Sequence, residues 1–445
     1  MSQYVVRNLS ALAAVLCTLI GLSNCSIPPG NEQPVTLLAQ DIPIQETTVV
    51  NIFQCREEIS QPLQQAIAQY TAANGNARIN VHTLAGSDYG ASLRSKLLSG
   101  GQADIFMLFS HTDFLTLSGH LENLNDLQWA GAAAGNVLEP AIVDENLYGI
   151  PYSLESMGLI ANRNIFESID IPADALSDWE TLLPALEKLD GMLERRELKA
   201  LFPDLNYVID FSIGDKNYLE KYAAAILLGE AFASAPQAAT TAGAAFDKAE
   251  NLRDFFDAII RLSPPKNWQS LEPVSQASQI SDFAAEKTAL LLADTAAYRQ
   301  ICLQNPGLEN RLAFLPVSLP RQAASIYLHA PAYWAINAAA ADAAKAEAKK
   351  FLTWLYQSDS GTAVLAGRFS AVSPYRQYAK DTGIPLHSRM LQYIANGQTK
   401  QWLFRESPAD WGRMVFAPAL QQYCAGTLDW EELLTACNEG WAKTR

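Results

Sequence analysis

The sequence has few basic residues for its acidic content. Its 445 residues include 32 lysines and arginines against 47 aspartates and glutamates, which gives a formal net charge of -15 at pH 7. Nucleic-acid binding depends on basic side chains that displace counterions from phosphates, and binding to anionic lipid needs the same charges. We therefore expect neither partner, and the acidity is that of a soluble protein surface.

Metal-binding motifs are also missing from the sequence. Beyond the first 25 residues the cysteines are Cys55, Cys302, Cys424 and Cys437, and none has the close Cys or His neighbour of a zinc site. The five histidines form no HxxH or HExxH pair, so we expect no metal and no cofactor. Cys424 and Cys437 are close enough in sequence to form a disulfide, and the alternative for each is a buried free thiol.

Long apolar runs are scarce, and the run near the N-terminus is typical of a targeting segment. It extends from Leu9 to Leu22, is too short to span a bilayer comfortably and is followed by polar residues. We interpret residues 1–25 as a secretory signal. Leu22, three positions before Cys25, resembles the lipobox of bacterial lipoproteins, which implies acylation of Cys25 and anchoring of the mature chain to the membrane. Asn24 departs from that motif, so ordinary signal cleavage is the alternative.

The remaining chain begins with a tether and then alternates between strands and helices. Residues 26–47 hold four prolines among polar residues and predict a flexible tether. The predicted strands that follow lie at residues 49–53, 79–81 and 104–109, and the predicted helices lie at 59–70 and 88–98. This alternation is the opening of a doubly wound parallel sheet and places the chain in the α/β class.

Residues that directly follow these strands are candidate ligand contacts. In a doubly wound sheet, ligands gather at the carboxyl ends of the strands, because helix N-termini and unpaired backbone groups converge there. The alternative for each residue is a helix N-cap or an ordinary loop position. The candidates are Gln54, Ser87, Asp88, Phe109, Ser110 and His111.

Motifs further along the chain resemble one known family. Residues 147–151 and 158–166 are similar to the YGIP and GLYYNKDLF signature of extracellular solute-binding proteins of the carbohydrate-uptake class, family 1. Further motifs of that family follow in the same order at residues 177–180, 283–292, 315–316, 333–337 and 346–356. In the first of these, Ser177 and Glu180 have the spacing of a capping box at a helix start. The resemblance spans nearly the whole mature chain.

The resemblance implies a two-lobed periplasmic-binding-protein type II fold, with each lobe a doubly wound sheet flanked by helices. The solute would lie between the lobes and favour their closure about a hinge, because both lobes touch it. The first lobe would hold residues 48–151 and about 325–340, and the second lobe residues 152–324 and about 341–445. The hinge would include residues 151–156 and the chain near Pro320.

Aromatic rings and carboxylates are the cleft residues that this resemblance implies. Apolar sugar faces pack on aromatic side chains, whereas sugar hydroxyls are met by carboxylates, amides and arginine. Glu155 falls in the inter-lobe crossing, where the family supplies a cleft carboxylate, and Tyr152 lies three residues before it. The other predicted ligand contacts are Asp294, Tyr333, Trp334 and Trp411, with Trp402 and Phe416 as alternatives to Trp411. The family's stacking aromatic would align near Ala296, where this chain has Tyr298 close by.

The function implied is that of a lipid-anchored, monomeric receptor that hands a carbohydrate to an ABC-type permease without transforming it. The receptor would act on the outer face of the bacterial cell membrane or in the periplasm. One alternative is a receptor for a polyamine, a metal complex or a phosphate-containing solute, and a carboxylate-rich cleft would favour the polyamine. Another is a secreted enzyme acting on polysaccharides, for which the sequence offers no nucleophile elbow or metal motif.

Overall fold

The structure is a computed structural model that describes residues 47–100, 102–246, 249–263 and 275–445. Its strands are β1 (Thr48–Gln54), β2 (Ala77–Thr83), β3 (Ile105–Leu108), β4 (Ile142–Val143), β5 (Asn146–Leu147), β6 (Ile150–Pro151), β7 (Glu155–Asn162), β8 (Tyr207–Ile209), β9 (Thr288–Asp294), β10 (Leu312–Leu315), β11 (Ile326–His329), β12 (Tyr333–Ile336) and β13 (Thr399–Gln401). Its helices are α1 (Ser60–Ala73), α2 (Tyr89–Leu98), α3 (His111–Leu117), α4 (Arg163–Glu167), α5 (Trp179–Glu194), α6 (Lys216–Tyr218), α7 (Ala224–Ala231), α8 (Ala235–Thr240), α9 (Glu250–Leu262), α10 (Gln276–Ala284), α11 (Ala297–Gln304), α12 (Asp342–Gln357), α13 (Asp359–Gly367), α14 (Pro385–Ala395), α15 (Ala417–Cys424) and α16 (Trp430–Thr444). The predicted signal, Cys25 and all of the predicted tether except Thr47 lie outside the described residues.

The first sheet has the strand order β2-β1-β3-β12-β6. β1 runs parallel to β2 and to β3, whereas β12 runs antiparallel to β3 and to β6. α1 connects β1 to β2 and α2 connects β2 to β3, as parallel pairing requires. The predicted alternation of strands and helices is therefore confirmed for this part of the chain, and with it the α/β class.

The second sheet is built around β7. β7 runs antiparallel to β9 on one side and to β10 and β11 on the other. β8 runs parallel to β9, and β13 runs parallel to β11. The carboxyl end of β9 and the amino end of β7 therefore lie at the same edge of this sheet, because the two strands run in opposite directions.

Two apolar cores lie on opposite faces of the second sheet. Alternate residues of a strand point to opposite faces, so Ile160 and Leu291 enter one core while Leu159 and Leu290 enter the other. The first core also contains the first sheet and the buried faces of α12 to α14. The second core contains the buried faces of α5, α7, α9, α15 and α16.

Two segments lie in a different place from the one predicted for them. The prediction assigns residues 325–340, which hold β11 and β12, to the first lobe. β12 does join the first sheet, but β11 pairs with β7 and β13 in the second sheet. The prediction assigns residues 341–445 to the second lobe, but α12 packs on β1 and α12 to α14 contribute to the first core. An apolar strand or helix looks the same in sequence whichever sheet it joins, so the sequence does not show these placements.

The start of α5 is one residue later than the predicted capping box. Asp178, rather than Ser177, is the N-cap, and its carboxylate accepts a hydrogen bond from the backbone N–H of Thr181 at 2.9 Å. The Thr181 hydroxyl accepts from the Asp178 backbone in return, at 3.4 Å. Aspartate and serine are equally good N-cap residues. The reciprocal hydrogen bond that the Thr181 hydroxyl accepts favours Asp178 over Ser177 at this position.

The described cysteines are free thiols, so Cys424 and Cys437 do not form the disulfide that their spacing allows. Desolvation by burial raises the pKa of both thiols to about 12, which keeps them protonated and unreactive at neutral pH. Within the described ranges, no helix combines the length and apolar character needed to cross a bilayer.

Trp334 lies at the centre of the first core. Its side chain is 1% exposed, because β12 is an inner strand of the first sheet between β3 and β6. Its indole N–H donates to the Tyr356 hydroxyl at 3.1 Å, and its ring meets that of Tyr152 edge-on at 6.0 Å. The sequence-based prediction places Trp334 in a cleft, whereas the structure places it in the core.

Replacing Trp334 with alanine should therefore lower the free energy of unfolding by about 3–5 kcal/mol, the usual cost of deleting a buried indole. Denaturant unfolding followed by circular dichroism measures the change. Leu303→Ala, at a position that is 77% exposed, is the control and should cost less than about 0.5 kcal/mol. A loss at Trp334 as small as that of the control would contradict the core assignment.

Candidate functional site

The two sheets present their polar ends to a common region. β9 ends at Asp294 and β7 begins at Glu155, while β1 and β3 of the first sheet end nearby. The chain crosses between the sheets at residues 151–155 and again at residues 329–333. Side chains that follow strands of both sheets therefore converge, as the sequence predicts for the carboxyl ends of a doubly wound sheet.

Charged and aromatic side chains fill this region, and we refer to them as the junction cluster. The first sheet contributes Arg56, which follows β1, and Phe109, which follows β3. The second sheet and its connections contribute Glu155, Lys221, Tyr222, Asp294, His329, Trp402, Phe404 and Arg405.

Glu155 is held in its charged form by Arg56. Its carboxylate accepts a hydrogen bond from Arg56 Nη2 at 3.2 Å, and it lies 3.8 Å from His329 Nε2, which is too far for a hydrogen bond. Desolvation favours the neutral acid, but the attraction of the Arg56 guanidinium outweighs it and holds the pKa of Glu155 well below its usual range. Desolvation also lowers the pKa of His329, so its ring is neutral at pH 7. Arg56 pairs in addition with Glu58 at 2.7 Å.

Asp294 has a second set of partners. Its Oδ2 lies 2.5 Å from Lys221 Nζ and accepts a hydrogen bond from the Tyr222 hydroxyl at 2.8 Å. Its Oδ1 accepts from the backbone N–H of Ala297 at 3.2 Å, at the start of α11. Lys221 and Tyr222 are consecutive residues of a π-helical segment, Leu219–Ala223, and both reach this one carboxylate.

Trp402 is the centre of the aromatic part of the junction cluster. Its ring centroid lies 4.4 Å from that of His329, 5.4 Å from that of Phe404 and 5.8 Å from that of Tyr222. Its indole N–H donates to the backbone carbonyl of Lys221 at 2.7 Å, which fixes the ring in place. The Lys221 ammonium lies 5.5 Å from the indole centroid, so the ring also interacts with a cation.

A cavity of about 390 Å³ adjoins the junction cluster. Arg56, Tyr152 and Glu155 form one wall, and the chain that follows β9 forms another. Residues 369–371, together with the start of α14, line the remaining side. The volume falls within the range of about 300–1,000 Å³ that small-molecule sites usually occupy.

Glu406 connects the two sheets at the border of the cluster. It is 4% exposed, and its carboxylate oxygens lie 3.0 and 3.1 Å from the backbone N–H of His111, which donates to them at the start of α3. The His111 ring is itself buried, with Nδ1 3.0 Å from the Pro140 carbonyl. Desolvation raises the pKa of Glu406 to about 8, although the hydrogen bond from His111 opposes the shift.

The structure brings some predicted site residues together. Glu155 and Asp294 belong to the junction cluster, and Tyr152 lines the adjoining cavity. Gln54 is fully buried and supports the site indirectly, because its side-chain oxygen accepts from the backbone N–H of Arg56 at 2.6 Å.

The structure places other predicted site residues elsewhere. Trp411 is fully buried in the second core, with its indole N–H on the Cys437 carbonyl at 3.0 Å. Tyr333 is 1% exposed, with its hydroxyl on the Val137 carbonyl at 2.8 Å. Asp88 is exposed at the start of α2 and makes no side-chain cap. Side chains that are apolar in most of their surface are buried wherever their strand or helix faces a core, and the sequence does not show which face that is.

Sequence reasoning missed several members of the junction cluster. Arg56 follows the predicted contact Gln54 by two residues, and His329 directly precedes a crossing between the sheets, so the positions of both in the sequence could have indicated them. The positions of Lys221 and Arg405 could not, because these residues enter the cluster from segments far away in the chain.

The chemistry that this arrangement offers is recognition of a polar molecule with apolar faces. Paired carboxylates and cations present both hydrogen-bond acceptors and donors, and aromatic rings present flat apolar surfaces. No group of three or more His, Cys, Asp or Glu side chains in the described ranges is arranged to hold a metal ion.

Comparison with known proteins identifies the family. Residues 65–383 match the model of the bacterial extracellular solute-binding proteins, which is well over half of the chain. The chain belongs to this family. It is therefore a solute-binding protein that acts outside the cytoplasm. No curated protein shows significant similarity to the sequence.

Solved structures support the same fold for this binding protein. The binding protein MsmE of Bacillus subtilis, in an open conformation, has a TM-score of 0.70 at 14% identity, over 90% of this chain and 98% of its own. RafE of Streptococcus pneumoniae has a TM-score of 0.67 at 15% identity, over 90% and 98% of the two chains. The sugar-binding protein MalE of Xanthomonas citri has a TM-score of 0.67 at 14% identity, over 89% and 97%. The predicted two-lobed binding-protein fold is therefore confirmed.

Glu406 should make the stability of the binding protein depend on pH. Its folded-state pKa of about 8 lies above the unfolded value of about 4.3, so its contribution is complete below pH 4 and is lost as the pH rises through 8. Glutamine cannot ionise, so Glu406→Gln should gain stability relative to the parent between pH 5 and pH 8, by up to about 1.4 kcal/mol per pH unit. Urea unfolding at several pH values measures this difference.

The exposed Glu431 provides the control for this experiment, because Glu431→Gln removes the same charge without burial. Its stability profile should run parallel to that of the parent protein. A Glu406→Gln profile that is also parallel would show that Glu406 ionises normally in the folded state.

Proposed function

We propose that this binding protein captures a mono- or oligosaccharide at the junction cluster and delivers it, chemically unchanged, to an ABC-type importer. The observation that carries the proposal is the association of the Trp402, Phe404 and Tyr222 rings with two carboxylates, the partly buried Glu155 and the buried Asp294, each of which has a cationic partner. Sugar recognition needs both kinds of group within the reach of one ligand.

The aromatic rings supply the apolar part of such a site. Phe404 is partly buried and lies beside the more deeply buried Trp402, so it offers ring surface at the border of the cluster. A pyranose has apolar C–H faces that pack against such a ring, and its burial there removes apolar surface from water.

The charged pairs supply the polar part and weaken the polyamine alternative. Each buried sugar hydroxyl must find a partner, or binding loses about 1–3 kcal/mol. Glu155 and Asp294 can accept from hydroxyls while Arg56 and Lys221 keep their charges compensated. A polyamine would need carboxylates that lack a cation, and both of these already have one.

Structural neighbours support a carbohydrate as the solute. A RafE binding protein is described in complex with raffinose, and the binding protein of Thermotoga lettingae is bound to α-D-tagatose. A further neighbour is a chitin oligosaccharide binding protein. Their identities of 14–17% make them guides to the fold, and the sugar is carried over to this chain as part of the proposal.

We also propose that the two sheets belong to two lobes that close on the solute as a monomer. The strand pairing supports a first lobe around β1, β2, β3, β6 and β12 and a second around β7 to β11 and β13. The crossings at residues 151–155 and 329–333 are the natural hinge, because few residues there absorb the change in direction. A solute held between the lobes favours closure, since both lobes contact it.

A panel of mono- and oligosaccharides should include a ligand that raises the melting temperature of the binding protein, because a ligand at 100 times its Kd adds about 2.7 kcal/mol of stability. For that ligand, Phe404→Ala should weaken binding about tenfold to a hundredfold, through the loss of an apolar platform. Isothermal titration calorimetry measures both affinities, and chromatography of the recovered ligand shows whether it is unchanged.

Phe202→Ala is the matched control for Phe404→Ala. Phe202 is also partly buried, but it lies ahead of β8, at the edge of the second sheet opposite to Asp294. Its replacement should leave affinity unchanged. Equal affinities for all three proteins, or the absence of any stabilising sugar, would count against the proposed site and solute class respectively.

We further propose that Cys25 carries the lipid that anchors the protein to the outer face of the cell membrane, as its lipobox-like context suggests. Cys25→Ser should move the protein from the membrane fraction to the soluble fraction without a change in its melting temperature. Mass analysis of the mature N-terminus checks the modification, and an unmodified terminus at another residue would rule the anchor out.

A further inference from the structure

Arg405 differs from the other cations of the junction cluster. Arg56 pairs with Glu155 at 3.2 Å, and Lys221 pairs with Asp294 at 2.5 Å. Within the described part of the chain, no carboxylate oxygen lies within 4.0 Å of the Arg405 guanidinium, and its N–H groups donate no hydrogen bond to the protein.

The carboxylates that surround Arg405 are used in other contacts. Asp113 accepts from the backbone N–H groups of Phe109 and Ser110 at 3.0 and 3.2 Å, as part of the capping box of α3. The Glu406 carboxylate is turned to the backbone of His111.

Two further carboxylates share a surface depression of about 330 Å³ with Arg405. Asp410 is paired there with Arg413. Glu220 has no ion pair among the described residues, and desolvation raises its pKa, which disfavours its charged form. Arg405 therefore has no ion-pair partner in the described part of the chain.

Aromatic rings hold the Arg405 guanidinium in place. Its central carbon lies 5.0 Å from the ring centroid of Phe109, which follows β3, and 5.1 Å from that of Phe404, which follows β13. Contacts with aromatic rings leave the in-plane N–H donors of an arginine available. Those donors match the two oxygens of a carboxylate or a phosphate.

Like charges also meet across the two sheets at this point. The pKa of Arg405 is lowered, first by desolvation and then by repulsion from Arg56 of the first sheet. An anionic group between the two guanidinium groups would relieve that repulsion.

We propose that the solute is an acidic saccharide, whose oxyanion group is bound by the in-plane donors of Arg405 while its sugar ring packs on Phe404. This inference rests on the proposed carbohydrate-binding function and narrows its solute class. The oxyanion is the carboxylate of a uronic acid or the phosphate of a sugar phosphate, since both offer two oxygens at the spacing of a guanidinium edge.

The test compares matched sugars that differ in the anionic group, using the full mature chain and isothermal titration calorimetry. The pairs are galacturonic acid against galactose, trigalacturonic acid against galactotriose, and glucose 1-phosphate against glucose. The acidic member of at least one pair should bind at least tenfold more tightly, and this advantage should shrink as salt is raised because it is electrostatic. The pair that shows it distinguishes carboxylate from phosphate.

Two variants assign the preference to a residue. Arg405→Gln should reduce the advantage of the acidic sugar over its neutral partner, both measured on the same variant, to less than threefold. Arg261→Gln removes an exposed cation of α9 that is paired with Glu187 outside the junction cluster, so it should preserve the advantage. Circular dichroism verifies that both variants fold, and the comparison on the unmodified protein needs neither of them.

Each other outcome overturns a specific statement. Neutral sugars that bind as tightly as their acidic partners overturn the acidic solute and leave carbohydrate binding intact. A preference that survives Arg405→Gln, or is lost in Arg261→Gln, overturns the role of Arg405. Failure of every sugar to bind overturns the proposed function itself.

Discussion

Charge compensation between the two sheets is the constraint on which the candidate site depends. A buried carboxylate without a partner costs several kcal/mol, so each one at the junction must be matched by a cation or by hydrogen-bond donors. Arg56 comes from the first sheet and Glu155 from the second, so this pair exists in full when the sheets are close together. The position of one sheet thereby sets the electrostatics of the other.

The other contacts across the junction obey the same constraint with different chemistry. The Glu406 carboxylate accepts a hydrogen bond from a backbone N–H of α3 instead of pairing with a cation. Its raised pKa shows that this bond offsets only part of the desolvation of the carboxylate. The side-chain amide of Gln401, in β13 of the second sheet, donates at 2.5 Å to Glu139, which lies in the turn ahead of β4. Arg405 reaches across to Phe109 through a ring contact. Polar groups thus dominate the junction, whereas apolar side chains dominate the cores on either side.

The sequence predicts the frame of the molecule better than the content of the site. The alternation of β1, α1, β2, α2 and β3 follows from local periodicity, and Glu155 and Asp294 follow from motif order and strand ends. Trp334 and Trp402 show where such reasoning stops, because both lie in apolar surroundings with no local difference between them. One belongs to an inner strand of the first sheet and the other follows the edge strand β13, and this distinction depends on pairing between distant segments.

The π-helical segment Leu219–Ala223 makes chain length, as well as residue identity, a condition for the site. A π turn holds one residue more than the α turn it replaces, so it is equivalent to a single-residue insertion. Loss of that residue would restore a regular α-helix, but it would rotate the preceding side chains by about 100° relative to the following ones. Lys221 and Tyr222 could then no longer both reach Asp294. A regular α-helix at this point could not supply both partners of the buried Asp294 carboxylate, whereas the π turn supplies both.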